Sequence, residues 1–399
     1  MAASVVRPDR PRAVVHLNIT DFAVAVERLA DRGLEGRPVI VAPEGAARAR
    51  VFDMSEEAYQ AGVRKAMPLY RARRICRDAA VLPPHPERYE WVMAELCREA
   101  LAFSPLVEPG RIDGHFFVDI TGTSRIFGPP ADAARRMYRH IRQRLGLCPV
   151  WAVAENKLVS KVATRLVKPA GEYVVRPGEA GAFLSPLPVD LLPGVAPEDL
   201  ARLRELNLQQ ICQVAGLTAD ELAVPFGSRA GWIHDLVHGI DPSPVRPAGE
   251  KAAKITASCE FGAGANDPAS AAPAMYRVAE KIGAELRKRG KVARSLAIAI
   301  DYADGLRCFR QLGVQPPSAD DITLFEVCRA LLDKAWVRRV RLRRICVICA
   351  KPVAPQVQME LFSGNQAVRE KRDAVIHAVD RVRQRFGAGA VSMGRTMAP

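Results

Sequence analysis

The chain lacks any apolar run approaching the roughly 20 residues that a membrane-spanning helix requires, and no signal-like apolar region follows its N-terminus. A membrane-embedded or exported protein is therefore not the expectation. Its nine cysteines are scattered, odd in number and without a disulfide framework, which suits a reducing cytoplasm. The one CxxC, Cys346–Cys349, lies in the alternating apolar run Ile345–Ala350 with no second pair. It reads as core strand rather than zinc site. Acid is the other shortage: 44 Asp and Glu stand against 58 Lys and Arg, for a net charge of +14 and a pI near 9.6. Such a balance favours a polyanion as partner, nucleic acid first and an anionic membrane surface second.

What is present describes a globular protein. At 399 residues, 49% apolar and 26% charged, the chain can build several domains with real cores. Residues 1–12 read as a basic lead-in. Ala13–Leu17 reads as a strand and Phe22–Ala30 as a helix that Thr20 or Asp21 could cap. Strands at Arg37–Val41 and Val51–Asp53 follow, then helices at Glu56–Gly62, Pro68–Arg74 and, by its amphipathic period, His85–Phe103. After a strand near 116–120 come a helix at Ala131–Leu145, a strand at Pro149–Ala154 and a helix at Glu155–Val167, stopped by Lys168-Pro169-Ala170-Gly171. Strands alternating with helices indicate an α/β unit.

Residues 187–240 read instead as short helices broken by Gly and Pro. There Leu192-Pro193-Gly194-Val195-Ala196 before Glu198–Leu206 resembles the hairpin of a helix-hairpin-helix, whose backbone N–H groups meet a DNA phosphate; an ordinary inter-helix turn carries equal weight. Pro-rich Asp241–Gly249 reads as a tether. Residues 252–354 form a second α/β unit in the split ferredoxin-like order β-α-β-β-α-β. It has strands near Ala253–Glu260, Ser295–Tyr302, Cys308–Leu312 and Arg341–Ala350, and helices at Pro273–Arg289 and Ile322–Trp336. Lys281, Arg287, Lys288, Arg289, Lys291 and Arg294 form one basic cluster; Arg338, Arg339, Arg341, Arg343 and Arg344 form another. Two clusters in one basic domain favour a phosphate-tracking surface over solvated faces. Gln358-Met359-Glu360-Leu361-Phe362 has the outline of a docking peptide, an amide followed by apolar anchors, and Gln366–Phe386 is a charged amphipathic helix.

The rest is organised around Arg111–Gly128, where Phe116, Phe117, Val118 and Ile120 make a buried strand between Asp113-Gly114-His115 and the turn Thr121-Gly122-Thr123. Acids on such a strand could hold metal, but here they are too few.

Together these features resemble the Y-family of translesion DNA polymerases, the DinB/UmuC group, over nearly the whole chain. The resemblance is carried by His16-Leu17-Asn18, by Gly62-Val63 with Ala66-Met67-Pro68, and by Asn156-Lys157. It continues with Lys168-Pro169-Ala170-Gly171, Leu192-Pro193-Gly194-Val195, the β-α-β-β-α-β unit and Gln358–Phe362. It implies a mixed α/β multi-domain fold of right-hand architecture. Palm would be 13–22 with 72–171, fingers 23–71, a helix-hairpin-helix thumb 172–241, linker 242–252 and little finger 253–354, followed by a clamp-binding peptide and C-terminal helix at 355–399. It further implies carboxylates holding a Mg²⁺ pair that activates the primer hydroxyl and neutralises the incoming triphosphate.

This chain departs from that pattern where the chemistry would occur. The first metal-ligand position falls on Asn18 and the second acidic position of that strand on Thr20, with Asp21 adjacent. The Asp-Glu pair falls on Asp113-Gly114 or Gly114-His115, so at most one carboxylate survives. Asp119 matches an aspartate downstream of the metal acids and reads as a turn or cap. Triphosphate ligands fall on Glu56 and Tyr59, the ribose gate on Ala23, and only Lys168 is retained. Asp119–Gly122 with Phe127-Gly128 resembles the ImuB-type branch, relatives without the acids.

The expectation is thus a non-catalytic protein in DNA damage tolerance, cytoplasmic and nucleoid-associated. It would bind primer–template DNA through Pro193, Gly194, Val195, Ala196, Lys288, Arg289, Lys291, Arg294, Arg338, Arg339, Arg341 and Arg343. The β sliding clamp would engage Gln358, Met359, Glu360, Leu361 and Phe362, a partner polymerase is implied, and no cofactor is expected. The alternative is an active translesion polymerase holding Mg²⁺ on Asp113 with Asp21 or Asp119.

Overall fold

The computed structural model describes residues 11–43, 49–110, 112–249, 254–304, 306–355, 366–387 and 390–391. The chain divides into two compact units, Met1–Glu250 and Lys251–Pro399. The first begins β1 (Val14–Asn18), α1 (Phe22–Ala30), β2 (Val39–Val41), β3 (Asp53–Met54), α2 (Glu56–Gln60), α3 (Leu69–Ile75) and β4 (Ala80–Leu82). It continues α4 (Pro86–Ala100), β5 (Val107–Pro109), β6 (His115–Asp119), α5 (Ser124–Phe127), α6 (Pro130–Leu145), β7 (Val150–Ala154), α7 (Lys157–Leu166) and β8 (Glu172–Val174). Five short helices close it: α8 (Ala180–Leu184), α9 (Pro197–Glu205), α10 (Ile211–Ala215), α11 (Ala219–Phe226) and α12 (Ala230–Val237).

Every residue of β1 is buried because β1 is the middle strand of a five-stranded sheet, order β5-β6-β1-β7-β8. Val15 and Leu17 point with Phe116, Val118, Trp151 and Val153 toward α4 and α6, where Tyr89, Leu96, Met137 and Ile141 complete the core. Each such side chain contributes roughly 1.5–3 kcal/mol by leaving water. On the opposite face Ala152 and Ala154 meet Leu158, Val159, Val162 and Ala163 of α7. That cluster continues into Leu184, Ile211, Leu222 and Ile233 of the short helices. The Asn156 side chain caps α7 through the Val159 N–H, 2.9 Å, and donates to the Gly239 carbonyl, 2.7 Å, joining strand, helix and helical stretch at one residue. A second, three-stranded sheet, β3-β2-β4, encloses its own small core around Ile40, Met54, Val63 and Leu69.

Three local expectations change. Neither Thr20 nor Asp21 caps α1 by side chain: Asp21 occupies the N-cap at φ 51°, outside the extended geometry a capping side chain uses. Asp53 does it instead, its Oδ2 accepting the Ala23 N–H at 2.9 Å. The Pro-rich stretch read as a tether is pinned to the five-stranded sheet. Val245 is buried with Val14 and Phe117, Arg246 binds Glu108, and the Ala248 N–H reaches the Pro105 carbonyl. Three-residue β4, β5 and β8 were not legible, being too short to show a period.

The second unit runs β9 (Ile255–Ala265), α13 (Pro268–Lys288), β10 (Ala293–Tyr302), β11 (Arg307–Ser318), α14 (Asp321–Ala335), β12 (Leu342–Cys349) and α15 (Gln366–Phe386). The expected β-α-β-β-α-β order is present, as an antiparallel sheet β11-β10-β12-β9 whose inner face packs on α13 and α14. α13 starts at Pro268 rather than Pro273, because Asp267 and Ser270 close a capping box there. β11 runs through Pro316 and Pro317, past the expected end at Leu312, which an edge strand permits. Cys346 and Cys349 lie on β12, and Cys349 is buried toward the helices. Arg287 is not part of an exposed basic face: it is paired inward with Asp321 at 2.7 Å and with Asp380 of α15 at 2.6 Å. Gln358–Phe362 lies outside the described residues.

Candidate functional site

Strand period and register decide which side chains meet. Val14, His16 and Asn18 share one face of β1, and opposite them on β6 stand Asp119, Phe117 and His115. α7 lies over this face and presents Lys157, Lys161, Thr164 and Arg165 at helical spacing. Asn18 therefore faces His115, and the His16 and His115 rings are 5.4 Å apart.

His115 Nε2 is 3.2 Å from Asp113 Oδ2 and 3.2 Å from Lys161 Nζ. His16 Nδ1 is 2.7 Å from Thr164 Oγ1, whose own hydroxyl donates to the Lys161 carbonyl at 2.9 Å. The hydroxyl must then accept from the ring, which places the His16 proton on Nδ1. Three buried atoms of this face have no hydrogen-bond partner among the described residues: His16 Nε2, His115 Nδ1 and Asn18 Oδ1.

The electrostatics of this face are those of crowded cations. Burial, with His115, Lys161, Lys168 and Arg165 adding to it, holds His16 well below the ordinary imidazole range. Burial and then Arg165 depress Lys161. Burial depresses Arg165, and burial, Lys65 and Arg165 depress Lys168. Burial opposes ionisation of Asp113, yet the hydrogen bond and charge of His115 and the charge of Lys161 outweigh it and hold its carboxyl low. Asp113 is an anion whose charge is already answered.

The remaining positions scatter. Thr20 Oγ1 donates to the Pro169 carbonyl, 3.1 Å. Asp21 is pushed up to about 7 by burial and the neighbouring Asp53, itself bound to Lys65 at 2.8 Å. Ala23 is buried. Glu56 accepts from Gln60, 2.5 Å, and the Arg64 guanidinium stacks on Tyr59, 3.9 Å from its ring centre. Asp119 stands opposite Val14, at the far end of β1 from Asn18, and its Oδ1 accepts the Thr121 N–H at 2.9 Å, a turn role. Four residue steps along the strand separate it from His115, about 13 Å. Gly114 adopts φ 75°, and a Cβ there would lie 2.6 Å from Phe22 Cβ, so no acid fits at that position without displacing Phe22.

A Mg²⁺ pair needs several hard, anionic oxygens converging on one point. Asp113 is the one carboxylate beside Asn18 and His115 in these contacts, and lysine and arginine surround it. Among the described residues no three His, Cys, Asp or Glu side chains group as metal ligands. This donor set does not fit the metals. Sequence reasoning missed His16, Lys161, Thr164 and Arg165. The signals were the period-2 partner of Asn18 and the basic stripe Lys157-Lys161-Arg165 at helical spacing, with Lys168 just past the helix end.

Elsewhere, Gly194 turns the Leu192–Ala196 hairpin at φ 85° over Trp232, and Ala196 is the N-cap of α9. In the second unit Lys288, Arg294, Arg339 and Arg341 are exposed and Lys291 and Arg343 partly so. Arg289 pairs with Glu285 at 2.7 Å and Arg338 with Asp304 at 2.8 Å. The register Asp301↔Arg344 puts the two basic clusters at opposite ends of the sheet, about 23 Å apart along β10. No helix among the described residues is long and apolar enough to cross a membrane.

Comparison with known proteins converges on one group. Residues 17–165 match the impB/mucB/samB family and residues 253–361 the C-terminal domain of that family. A DNA polymerase IV of Desulfatibacillum aliphaticivorans is 32% identical over 95% of this chain and 95% of its own. One from Alkalilimnicola ehrlichii is 32% identical over 88% of this chain and 98% of its own. Among solved structures, a chimeric Y-family DNA polymerase superposes with a TM-score of 0.72 at 21% identity, covering 86% of this chain and 100% of that one. DinB from Sulfolobus solfataricus gives 0.60 at 21% identity with the same coverage.

Proposed function

The chain belongs to the impB/mucB/samB family and is a Y-family, DinB/UmuC-like polymerase homologue, and from that premise we propose that it binds primer–template DNA without transferring nucleotides. The observation that carries this reading is the charge at the centre of the five-stranded sheet. The amide of Asn18 faces His115, and Lys161 takes up the place beside the one remaining carboxylate, Asp113. A cationic face repels the ions that phosphoryl transfer requires.

Grip on DNA is assigned to the Leu192–Ala196 hairpin and to the exposed bases of the second unit, Lys288, Lys291, Arg294, Arg339, Arg341 and Arg343, with Arg289 and Arg338 at the margins. Phosphate contacts of this kind give a steep salt dependence and little sequence preference. Gln358–Phe362 is assigned to a β sliding clamp on its amide-and-apolar pattern, and a partner polymerase recruited to that complex would perform synthesis in DNA damage tolerance.

The test is primer extension with Mg²⁺ or Mn²⁺ beside DNA binding on the same template. Binding without extension is the expected result. The alternative, an active translesion polymerase, is favoured by the name DNA polymerase IV that the relatives carry; metal-dependent extension abolished by Asp113→Asn would establish it. Clamp docking fails if alanine at Gln358, Leu361 and Phe362 leaves clamp affinity unchanged.

A further inference from the structure

We propose that His234 and His238, at the end of α12, form a two-imidazole site for a transition-metal dication of the Zn²⁺, Cu²⁺ and Ni²⁺ class. The pair lies on α12, not on the sheet face of Asn18 and His115, and does not depend on the non-catalytic reading.

The first observation is the spacing of the rings. Positions i and i+4 are neighbours on one helix face. The two ring centres are 4.4 Å apart, with their planes tilted by 34°. Two imidazoles that share one metal side by side, each through a nitrogen at about 2.1 Å, place their centres roughly 4.5–5 Å apart. The rings already stand at the spacing of chelation.

The second is the hydrogen bonding of His238, which fixes the nitrogen on offer. Its Nδ1 lies 2.8 Å from the His234 carbonyl oxygen. A carbonyl only accepts, so the proton of the neutral ring is on Nδ1 and the lone pair on Nε2. A ring N–H held by a backbone carbonyl, with the other nitrogen bare, is how proteins orient a histidine toward a metal.

The surroundings suit a cation. Asp235 Oδ1 is 3.9 Å from His234 Nδ1. Both histidines sit at the C-terminal end of the helix, where the peptide dipoles present their negative ends. One turn earlier Gly231 is exposed, with open space where a Cβ would stand. Room is left for water to complete the metal's shell. Among the described residues no third His, Cys, Asp or Glu joins the pair as a ligand, so this is an open capture site and not a closed structural one. Nitrogen donors select the later transition metals, whereas Mg²⁺ and Ca²⁺ keep to oxygen.

A metal held there ties the last turn of α12. The His238 N–H reaches the His234 carbonyl at 3.3 Å and the Ile240 N–H the Asp235 carbonyl at 2.9 Å. Gly239 then turns the chain at φ 74° toward the strap at 243–248.

The experiment is a calorimetric titration of the full chain with Zn²⁺, in the presence and absence of Mg²⁺, beside His234→Gln and His238→Gln. Melting temperature without metal checks folding. Zn²⁺ is expected to bind the parent and raise its melting temperature. Each variant is expected to lose about tenfold or more in affinity, because the second imidazole acts as a tethered ligand. With Cu²⁺ as probe, spin-echo resonance should count two imidazoles in the parent and fewer in each variant. Hydrogen exchange at His238 and Ile240 should slow with Zn²⁺ in the parent alone. Cys148 and Cys212 are exposed thiols that compete for the same metals; Zn²⁺ binding unchanged in both folded histidine variants assigns the metal elsewhere and overturns the proposal. A single imidazole on Cu²⁺ in the parent, or displacement of Zn²⁺ by equimolar Mg²⁺, overturns it too.

Discussion

Asp53 holds the start of a helix thirty residues before it: its Oδ2 accepts the Ala23 N–H at 2.9 Å, while its Oδ1 binds Lys65 at 2.8 Å. The same buried carboxylate lies beside Asp21 and, after burial, is the leading cause of that residue's elevation to about 7. Asp53→Ala removes cap and ion pair together. It is expected to cost about 1–3 kcal/mol in urea denaturation and to move the Asp21 carboxyl back toward its ordinary range in an NMR titration.

Asp21 also predicts a pH dependence. A carboxyl whose folded value is raised from 3.8 to about 7 binds a proton more tightly when folded. Its contribution to stability is complete below the unfolded value and is lost as pH rises through 7. Asp21→Asn should flatten the fall in unfolding midpoint between those limits. An unchanged pH profile would remove Asp21 from the account.

Glu108 has the opposite sign. Burial raises its pKa, but hydrogen bonds from the Arg246 backbone, Lys157 and the Arg246 guanidinium prevail and hold it below 4.5. The strap at 243–248 is therefore fastened above that pH and loosens as pH falls through the lowered folded value. Hydrogen exchange of Arg246 and Ala248 should quicken in acid, and Glu108→Ala should reproduce that exchange at neutral pH.

Arg287 bridges Asp321 at 2.7 Å and Asp380 at 2.6 Å, and its side chain is 11% exposed. Arg287→Leu leaves two acids facing each other in a largely enclosed site, at a cost of about 3–5 kcal/mol. It should free α15, seen as protease cleavage within 366–386 while the sheet of the second unit stays protected.

Restoring acid at Gly114 is predicted to fail. Gly114→Glu must place a Cβ 2.6 Å from that of Phe22 at φ 75°. A loss of about 2–3 kcal/mol in stability is expected, with no gain in primer extension. Phe22→Ala in the same chain should recover part of the lost stability.

Much of this was written in local patterns. The helix at 22–30 and the β-α-β-β-α-β order of the second unit are legible because period and caps agree with tertiary packing. The ends were lost where a long-range fact overrode a local rule: Pro316 and Pro317 stay in β11 because it is an edge strand among the described residues, and the Asp241–Gly249 tether is bound because Glu108 faces it. At the site, counting acids led to the expectation of missing carboxylates at Asn18 and within Asp113–His115. The cations beside them were invisible, since Lys161 and Arg165 come near His115 and His16 only once α7 lies on the sheet.

The position of β1 has a consequence for assembly. The earliest strand among the described residues is the central one, and its hydrogen-bonding partners are residues 115–119 and 150–154. The β3-β2-β4 sheet, complete by residue 82, can close earlier. The large sheet forms late, from contacts of high sequence separation. A chain cut before β7 would expose one whole edge of β1, five buried residues with unpaired backbone, and should precipitate rather than fold.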